Sequence, residues 1–325
     1  MKLVIQIPAF NEESSLAAAM AALPKTVEGF DSVEILVIDD GSSDRTSEEA
    51  RAAGAAQVVR FPAHRGLAAA FTAGIEASLR RGADCIVNFD ADNQYAADDL
   101  PLLVGPIVRG EADLVVGDRQ THRIPHFSPA KKLLQAAGSW VVRQASSTDV
   151  PDATSGYRAL SRHAAESVHV FSKLTYTLET LIQAGSKGLR IASVPVRTNP
   201  PVRPSRLIAS TTKYVVLSGA NILRITALYK PLKVFSAAAA LFLGAGLALV
   251  LRFAWLYTTG RNPAGHVQSL IVAAILIVVG AQTFLIALLA DLVSINRTLL
   301  EDLKERTSST TSPAGGSGPS NPRAH

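Results

Sequence analysis

The sequence contains little cysteine and few aromatic residues, and each shortage excludes a class of protein. Cys85 is the single cysteine of the 325 residues, so no disulfide can form within the chain, and its place in an apolar run predicts core packing. Aromatic residues make up 6% of the sequence, and they are not interleaved with basic residues in the pattern by which proteins stack on bases. The net charge of +5 is modest. We therefore expect neither a disulfide scaffold nor a nucleic-acid partner.

Long apolar runs are absent from residues 1–207 and dominate the later stretch from Leu232 to Ile295. Two runs, 232–257 and 270–295, each exceed the roughly 20 residues that a helix needs to cross a bilayer. The connection between them is short, which predicts a transmembrane hairpin. Its glycines, Gly244, Gly246 and Gly280, either pack a homo-oligomer or are ordinary residues of membrane helices.

Basic residues flank the apolar region, which predicts that both of its ends face the cytoplasm. They are Lys213, Arg224, Lys230 and Lys233 before the region and Arg297, Lys304 and Arg306 after it. No secretory signal precedes Lys2, so we expect the first domain to stay in the cytoplasm. The predicted organisation is a cytoplasmic domain at 1–207, an amphipathic interface helix at 208–231, two transmembrane helices within 232–295 and a cytoplasmic, largely disordered tail at 296–325. Such a protein would be a multi-pass protein of the plasma (inner) membrane with both termini in the cytoplasm.

Short apolar segments alternate with helical segments along the first domain. The predicted strands are Leu3–Ile7, Val33–Ile38, Gln57–Arg60, Asp84–Phe89, Asp113–Gly117 and Arg190–Val196, and the predicted helices include Glu12–Leu23, Gly66–Arg80, Asp98–Arg109, Ala130–Ala145 and Tyr176–Ala184. Asn11 is expected to cap the first helix, and Thr46 and Glu49 have capping-box spacing for the second. This order is typical of an α/β fold with a mainly parallel, doubly wound sheet.

Polar clusters follow four of the predicted strands, at the ends where α/β folds bind their ligands. The clusters are Pro8–Glu12, Asp39–Asp44, Asp90–Gln94 and Gly117–Arg119. Asp90 and Asp92 lie one residue apart, and strand alternation sends both to one side. Two carboxylates this close are costly unless a cation lies between them or one is protonated. An isolated pair is more often a solvated acidic turn, but the four clusters together favour a site for Mg²⁺ or Mn²⁺.

Four motifs in this order resemble those of the family 2 glycosyltransferases with a GT-A fold. They are Pro8-Ala9-Phe10-Asn11-Glu12-Glu13, Asp39-Asp40-Gly41-Ser42-Ser43-Asp44, Asp90-Ala91-Asp92-Asn93-Gln94 and Ser155-Gly156-Tyr157-Arg158. Within that family the chain looks like the polyprenyl-phosphate glycosyltransferases of the dolichyl-phosphate mannose synthase type. The resemblance implies a membrane-anchored inverting enzyme that moves a sugar from a UDP- or GDP-sugar to polyprenyl (dolichyl or undecaprenyl) phosphate on the cytoplasmic membrane face.

The resemblance also implies roles for individual residues. Nucleotide-sugar binding would fall to Pro8, Phe10, Glu12, Asp39, Asp40 and Asp90, and a Mg²⁺ or Mn²⁺ ion would be held by Asp90, Asp92 and Gln94. Acceptor-phosphate binding would fall to Arg119, Ser155, Arg158 and Arg203, with Asp152 in the same acceptor-side loop, and the catalytic residues would be Asp92, Arg119 and Arg203. A phosphate monoester is largely dianionic at neutral pH, its second pKa being about 6, so no general base is assigned.

Two stretches depart from the family pattern. His64-Arg65-Gly66-Leu67 stands where Asn-x-Gly-Lys-Gly is usual, and Pro204-Ser205-Arg206 replaces a Gly-x-Ser-Lys ending. The surrounding stretch, 196–207, either clamps an anion through its arginines Arg197, Arg203 and Arg206 or is a solvated basic linker.

Other functions remain open at this point. The chain would be a glycosyltransferase of the same fold with another lipid or glycan acceptor, or a non-catalytic membrane scaffold that keeps the fold. A processive polysaccharide synthase is disfavoured, because neither Trp140 nor Trp255 lies in a Gln-x-x-Arg-Trp motif. A nucleotidyltransferase is disfavoured because its glycine-rich signature is missing after the first strand.

Overall fold

The structure is a computed structural model that describes residues 1–120, 139, 143, 148–170, 176–199, 223, 224, 226, 227, 230–259 and 267–310, with side chains described as far as residue 296. The chain divides into two compact units, Met1–Thr226 and Ala227–His325. Most of the predicted helix 130–145, the interface helix at 208–231 apart from a few residues, and the tail beyond residue 310 lie outside the described residues.

Strands and helices alternate through the first unit. Its strands are β1 (Lys2–Ala9), β2 (Ser32–Asp39), β3 (Gln57–Arg60), β4 (Cys85–Asn88), β5 (Leu114–Asp118), β6 (Arg158–Ser161) and β7 (Ile191–Pro195). Its helices are α1 (Leu16–Ala22), α2 (Thr46–Ala52), α3 (Leu67–Arg80), α4 (Leu100–Val108), α5 (Arg162–Ser167) and α6 (Thr177–Ser186), and one 3₁₀ turn (Ala97–Asp99) precedes α4. The second unit consists of α7 (Pro231–Thr258) and α8 (Val267–Thr310).

The seven strands form one sheet in the order β3-β2-β1-β4-β6-β5-β7. All neighbours pair in parallel except β6, which is antiparallel to both β4 and β5. The apolar side chains of β1 and β4 are buried on both faces of the sheet, as the near-continuous apolar runs of parallel strands require. The predicted α/β class and mainly parallel sheet are therefore confirmed.

Strand β6 is one of the elements that the sequence pattern did not predict. It covers only Arg158–Ser161, directly after the turn-rich stretch that begins at Asp152. A four-residue strand is too short to show a period of two, so it leaves little trace in the sequence. Its insertion between β4 and β5 nevertheless brings the segment 152–158 to the end of β4, where Asp90 and Asp92 follow.

The predicted caps of the first two helices are wrong, because their residues bond to each other's loops instead. Asn11 has a left-handed backbone with φ of 54°, and its side-chain oxygen accepts from the backbone N–H of Ser43 at 2.9 Å. The hydroxyl of Thr46 accepts from the backbone N–H of Glu12 at 2.9 Å. These bonds join the loop after β1 to the loop after β2 and leave α1 to begin at Leu16, four residues later than predicted.

Helices α7 and α8 are both long and apolar enough to cross a membrane, over Pro231–Thr258 and Val267–Asn296. The two helices pack against each other at two glycines. Gly246 of α7 lies against Ala273 and Ile277 of α8, and Gly280 of α8 lies against Leu243 of α7. Small residues at helix crossings let backbones approach closely in membranes. The two glycines are thus used within the chain, and their role in a homo-oligomer stays a prediction.

The close approach at Gly280 gives a direct test of the hairpin. Gly280→Ala would place a Cβ atom 2.7 Å from Leu243 Cγ, whereas Gly244→Ala meets no described atom within 4 Å and is the matched control. Both changes add the same helix propensity, so their difference isolates the overpacking, which costs about 1–3 kcal/mol. We expect Gly280→Ala to melt at a lower temperature than Gly244→Ala, measured by far-UV circular dichroism of the detergent-solubilised chain. Equal melting temperatures would contradict this helix crossing.

Candidate active site

The loops after β1 and β2 are hydrogen-bonded together at the edge of the sheet where the parallel strands end. Besides the bond to Ser43, the backbone N–H of Asn11 donates to Ser42 Oγ at 2.9 Å. Glu12 is nearly buried beside them, and its carboxylate accepts from Ser15 Oγ at 2.6 Å. Pro8 is buried within β1, where it pairs with Ile38. The structure therefore brings the first two predicted clusters into one wall.

Asp39 and Asp40 are both buried, and their carboxylates bind backbone N–H groups of the protein. Asp39 accepts from the N–H of Ser42 at 2.8 Å and from the Ser47 hydroxyl. Asp40 accepts from the N–H groups of Arg65 and Gly66 at 2.7 and 2.9 Å. The two residues thus shape the surrounding loops, and their direct contact with a nucleotide stays a prediction.

The departure from the family pattern at His64 has a defined place in this wall. His64 Nδ1 lies 2.9 Å from an Asp40 oxygen, and its ring lies against Phe10 with centroids 4.1 Å apart. A surface pocket of about 300 Å³ opens nearby, lined by Gly41, Ser42, Arg60, Phe61 and Pro62. Phe10 is half-buried beside the His64 ring.

Asp90 and Asp92 follow β4 on the same edge of the sheet. Burial, and after it the neighbouring charge of Asp92, raises the pKa of Asp90 to about 7, while the positive charge of Arg119 acts in the opposite direction. The backbone N–H of Gln94 donates to Asp92 Oδ1 at 3.1 Å, so the loop folds back on its own carboxylate. Burial and the neighbouring negative charge thus outweigh the charge of Arg119 in their effect on the pKa of Asp90.

Gly156 brings the segment 152–158 directly against Asp90. A Cβ atom on this residue would lie 3.0 Å from Asp90 Oδ2 and 3.0 Å from the Tyr176 hydroxyl, so no side chain fits. Its carbonyl accepts from Asn88 Nδ2 at 3.0 Å, and its N–H donates to the Tyr95 hydroxyl at 3.1 Å. The glycine is therefore fixed on both sides, which places the backbone of this segment beside the carboxylate.

Arg119 is oriented by a bidentate pair with Asp152. Its Nε lies 2.7 Å from one carboxylate oxygen and its Nη2 2.9 Å from the other, and Nη2 also donates to Thr154 Oγ1 at 2.8 Å. Burial would raise the pKa of Asp152, but the hydrogen bonds and charge of Arg119 outweigh it and hold that pKa below its usual value. Within the described residues Nη1 makes no hydrogen bond, so this edge of the guanidinium can receive an anion.

Arg158 does not present its charge to the site, which corrects its predicted role in acceptor binding. The side chain is fully buried, and its three nitrogens donate to the carbonyls of Ser155, Thr177 and Ala153 and to the Thr180 hydroxyl at 2.6–2.8 Å. Burial lowers its pKa to about 10, so it keeps its charge at neutral pH. Arg158 thus ties the segment 152–158 to helix α6. Ser155 is likewise fully buried.

The remaining predicted arginines divide in two. Arg197 makes a bidentate pair with Asp99, with Nη2 2.7 Å from Oδ1 and Nε 3.2 Å from Oδ2, and its role as an anion clamp stays a prediction. Arg203 and Arg206 lie outside the described residues.

A divalent cation fits the residues that the structure brings together. In the described part of the chain no group of three or more His, Cys, Asp or Glu residues forms a metal centre by itself. Asp90, Asp92 and Gln94 instead offer carboxylate and amide oxygens, which are hard ligands that suit Mg²⁺ and Mn²⁺. These ions commonly take their other ligands from water and substrate phosphates. A cation here would also offset the repulsion that raises the pKa of Asp90.

Several supporting residues were missed by the sequence reading. Asn88 bonds to Gln6, Gly156 and Tyr176, and Tyr95 lies against Tyr157 with centroids 5.0 Å apart. Asn88 carried one usable signal, since an amide inside an apolar strand demands buried partners. Tyr176 carried none, because a tyrosine at a helix start is an ordinary core residue.

Comparison with known proteins supplies independent findings. Residues 4–168, about half of the chain, match the family described as Glycosyl transferase family 2. The chain is 30% identical to the undecaprenyl-phosphate mannosyltransferase of Micrococcus luteus over 60% of this chain and 83% of that protein. It is 28% identical to the UDP-N-acetylglucosamine–dolichyl-phosphate N-acetylglucosaminyltransferase of Methanococcus voltae over 59% of this chain and 83% of that protein.

Solved structures share the fold. Glucosyl-3-phosphoglycerate synthase of Mycobacterium tuberculosis, in complex with Mn²⁺, UDP-glucose and phosphoglyceric acid, matches with a TM-score of 0.55 and 23% identity over 70% of this chain and 80% of that chain. At this identity the likeness concerns the fold alone.

The structural role of Arg158 can be tested against that of an exposed neighbour. Arg158→Gln would leave several buried carbonyls without their charged donor, at a cost of about 3 kcal/mol or more. We expect its thermal midpoint to fall by about 6–12 °C. Arg162→Gln, which breaks only a pair with Glu166 between half-exposed side chains, should change the midpoint little. An Arg158→Gln protein as stable as the parent would restore a direct role at the site.

Proposed function

Because the chain belongs to glycosyl transferase family 2, we propose that it transfers a sugar from a nucleotide-diphosphate sugar to the phosphate of a polyprenyl lipid. The observation that carries the proposal is the grouping of Asp90, Asp92 and Arg119 on one edge of the sheet, with the raised pKa of Asp90. That grouping offers a cation site and an anion site side by side, which is what transfer between two phosphates requires.

The donor would lie along the wall formed by the loops after β1 and β2. Its base and ribose would lie near Phe10, Glu12, Asp39 and Asp40, with Pro8 beneath them, and its diphosphate would reach Asp90. Asp90, Asp92 and Gln94 would hold Mg²⁺ or Mn²⁺, which when bound would neutralise charge on the leaving diphosphate. A solved protein that shares the fold binds Mn²⁺ and UDP-glucose, which supports a divalent cation and a nucleotide sugar as ligands here.

The acceptor phosphate would be its own nucleophile. One of its oxygens forms a bond to the anomeric carbon while the bond from that carbon to the diphosphate oxygen breaks, and the electron pair leaves with the nucleoside diphosphate. The configuration at the carbon is inverted. Since the phosphate is already largely dianionic at neutral pH, the protein has to position it and compensate its charge. The open Nη1 edge of Arg119 suits this task, and we propose Arg203 as its partner.

Membrane attachment gives the acceptor a high local concentration. Helices α7 and α8 are long and apolar enough to span a bilayer, and a lipid phosphate lies at the headgroup level of the same membrane. Tethering turns the encounter into a nearly intramolecular event. We propose a plasma-membrane protein whose first unit faces the cytoplasm. Two relatives are named for polyprenyl or dolichyl phosphate acceptors, one with mannose and one with N-acetylglucosamine, so both UDP- and GDP-sugars belong in the assay.

The first test asks for a lipid product and its dependence on Asp92. Membranes containing the protein are incubated with polyprenyl phosphate, Mn²⁺ and a panel of radiolabelled UDP- and GDP-sugars. We expect one donor to yield a chloroform-soluble product, and Asp92→Ala to reduce its rate at least about 100-fold because a cation ligand is lost.

Asp98→Ala is the matched control, because Asp98 is an exposed acidic residue of the following 3₁₀ turn. Its rate should stay within about twofold of the parent. Transfer to water or to a glycan alone would indicate another acceptor, and nucleotide binding without any product would indicate a non-catalytic scaffold.

The second test concerns Arg119. A lysine ammonium cannot make two parallel hydrogen bonds to Asp152 and donate to an anion at the same time. We expect Arg119→Lys to lower kcat/KM for polyprenyl phosphate about 10- to 100-fold at saturating donor. Arg190→Lys is the control, because Arg190 makes the same bidentate geometry with Asp113 at the other end of the sheet. Equal losses in both variants would mean that only stability had changed.

A further inference from the structure

Residues 196–199, which we call the strap, follow β7 and cross from one site loop to another. At its beginning the N–H of Val196 donates to the carbonyl of Asp118 at 2.9 Å. The Val196 side chain packs closely on Gly117, since a Cβ atom on Gly117 would lie 3.0 Å from Val196 Cγ2. The strap therefore begins on the loop that carries Arg119.

The strap ends on the loop that carries Asp92 and Gln94. Asn199 alone holds three successive carbonyls of that loop: its Nδ2 donates to Asn93 at 2.9 Å and to Tyr95 at 3.3 Å, and its N–H donates to Gln94 at 2.8 Å. The loop backbone is also anchored where the N–H of Ala96 donates to the carbonyl of Arg197 at 3.1 Å. More than one hundred residues of sequence separate these partners.

The Asp92–Gln94 loop needs such an external partner. Asn93 has a left-handed backbone with φ of 55°, so the chain turns sharply between the two predicted cation ligands. Residues 93 and 94 belong to no helix or strand that would satisfy their carbonyls. A single asparagine supplies these bonds, and it fixes the turn between the two predicted cation ligands.

We propose that Asn199 is a positioning residue for the divalent cation, acting through the backbone of residues 93–95. The proposal rests on the cation site of the proposed function and goes beyond it, because Asn199 touches neither cation nor substrate. Supporting residues of this kind typically change metal affinity by 10- to 100-fold when they are removed. Since the strap begins at Gly117 and Asp118, it also sets the spacing between the cation loop and Arg119.

The ion pair in the middle of the strap does not explain the same geometry. Arg197 pairs with buried Asp99, so its side-chain bonds go to the following 3₁₀ turn and not to residues 93–95. The bonds made by Asn199, in contrast, go to the backbone between the two ligands. The strap is therefore more than an attachment for the chain that follows it.

The test measures Mn²⁺ binding directly. The full-length protein in detergent is titrated with Mn²⁺ alone, and free Mn²⁺ is read by electron paramagnetic resonance. We expect Asn199→Ala to raise the dissociation constant about 10- to 100-fold. Asn199→Asp should raise it further, because a carboxylate would face the carbonyls of Asn93 and Tyr95. The change in thermal midpoint on adding saturating Mn²⁺ should shrink in both variants.

Thr198→Ala is the matched control, since the Thr198 side chain makes no hydrogen bond within the described residues and its backbone pairs with Tyr95 unchanged. It should bind Mn²⁺ within twofold of the parent. In the transfer assay, Asn199→Ala should need more Mn²⁺ for half-maximal rate and recover most of its kcat when Mn²⁺ is saturating. A merely structural residue would lower the midpoint without metal and leave the Mn²⁺ dissociation constant unchanged.

The outcomes separate this inference from the proposed function. If the parent binds Mn²⁺ but forms no glycolipid, the function fails while Asn199 is still judged by binding. Mn²⁺ affinity in Asn199→Ala equal to that of the parent would overturn the inference, and so would a parent that binds no Mn²⁺. If Asn199→Ala fails to fold, Asn199→Gln, which keeps the amide donors one methylene further out, must show an intermediate dissociation constant.

Discussion

The repulsion between Asp90 and Asp92 is the constraint on which the rest of the site depends. The pair follows the short buried strand β4, and burial together with this repulsion moves the pKa of Asp90 to about 7. A cation bound between two such carboxylates would offset their repulsion, and this would favour its binding. The bond from Gln94 to Asp92 and the nearby charge of Arg119 reduce the repulsion only in part. This balance of charges favours the divalent cation that we propose for the site.

Beneath the carboxylates lies a buried polar network that gives them their position. Asn88 accepts from Gln6 at 3.0 Å and donates to the Gly156 carbonyl at 3.0 Å and the Tyr176 hydroxyl at 2.9 Å. One amide thus joins β1, the segment before β6 and the start of α6. Buried networks of this kind restrict the groups that they join and are costly when one member is lost. These restraints explain how the Gly156 backbone stays so close to Asp90 that a Cβ atom on it would lie 3.0 Å from the carboxylate.

The sequence predicted the sheet and the edge on which the site lies, because buried parallel strands and the polar residues after them leave strong local patterns. From the strand ends it also predicted that Asp90, Asp92 and Arg119 lie near one another. In the structure the charges of Asp92 and Arg119 both act on the pKa of Asp90. Strand β6 and the bonds of Asn199 could not be predicted in this way. They depend on partners that are distant in sequence, and nothing in a four-residue strand or a single asparagine reports which backbone it will meet.

Arginines show most clearly where local patterns stop being informative. Arg119, Arg158 and Arg197 all lie in polar stretches near the site, and the residue type predicts phosphate contact for each. Burial and hydrogen-bond partners distinguish them. All three nitrogens of Arg158 donate to carbonyl and hydroxyl oxygens of the protein, and Arg197 pairs with Asp99. Arg119 and Arg197 each leave Nη1 without a hydrogen bond among the described residues, but the Arg119 side chain is 18% exposed and that of Arg197 69% exposed. An arginine held in this way keeps its orientation before an anion arrives, so little ordering cost remains when one binds.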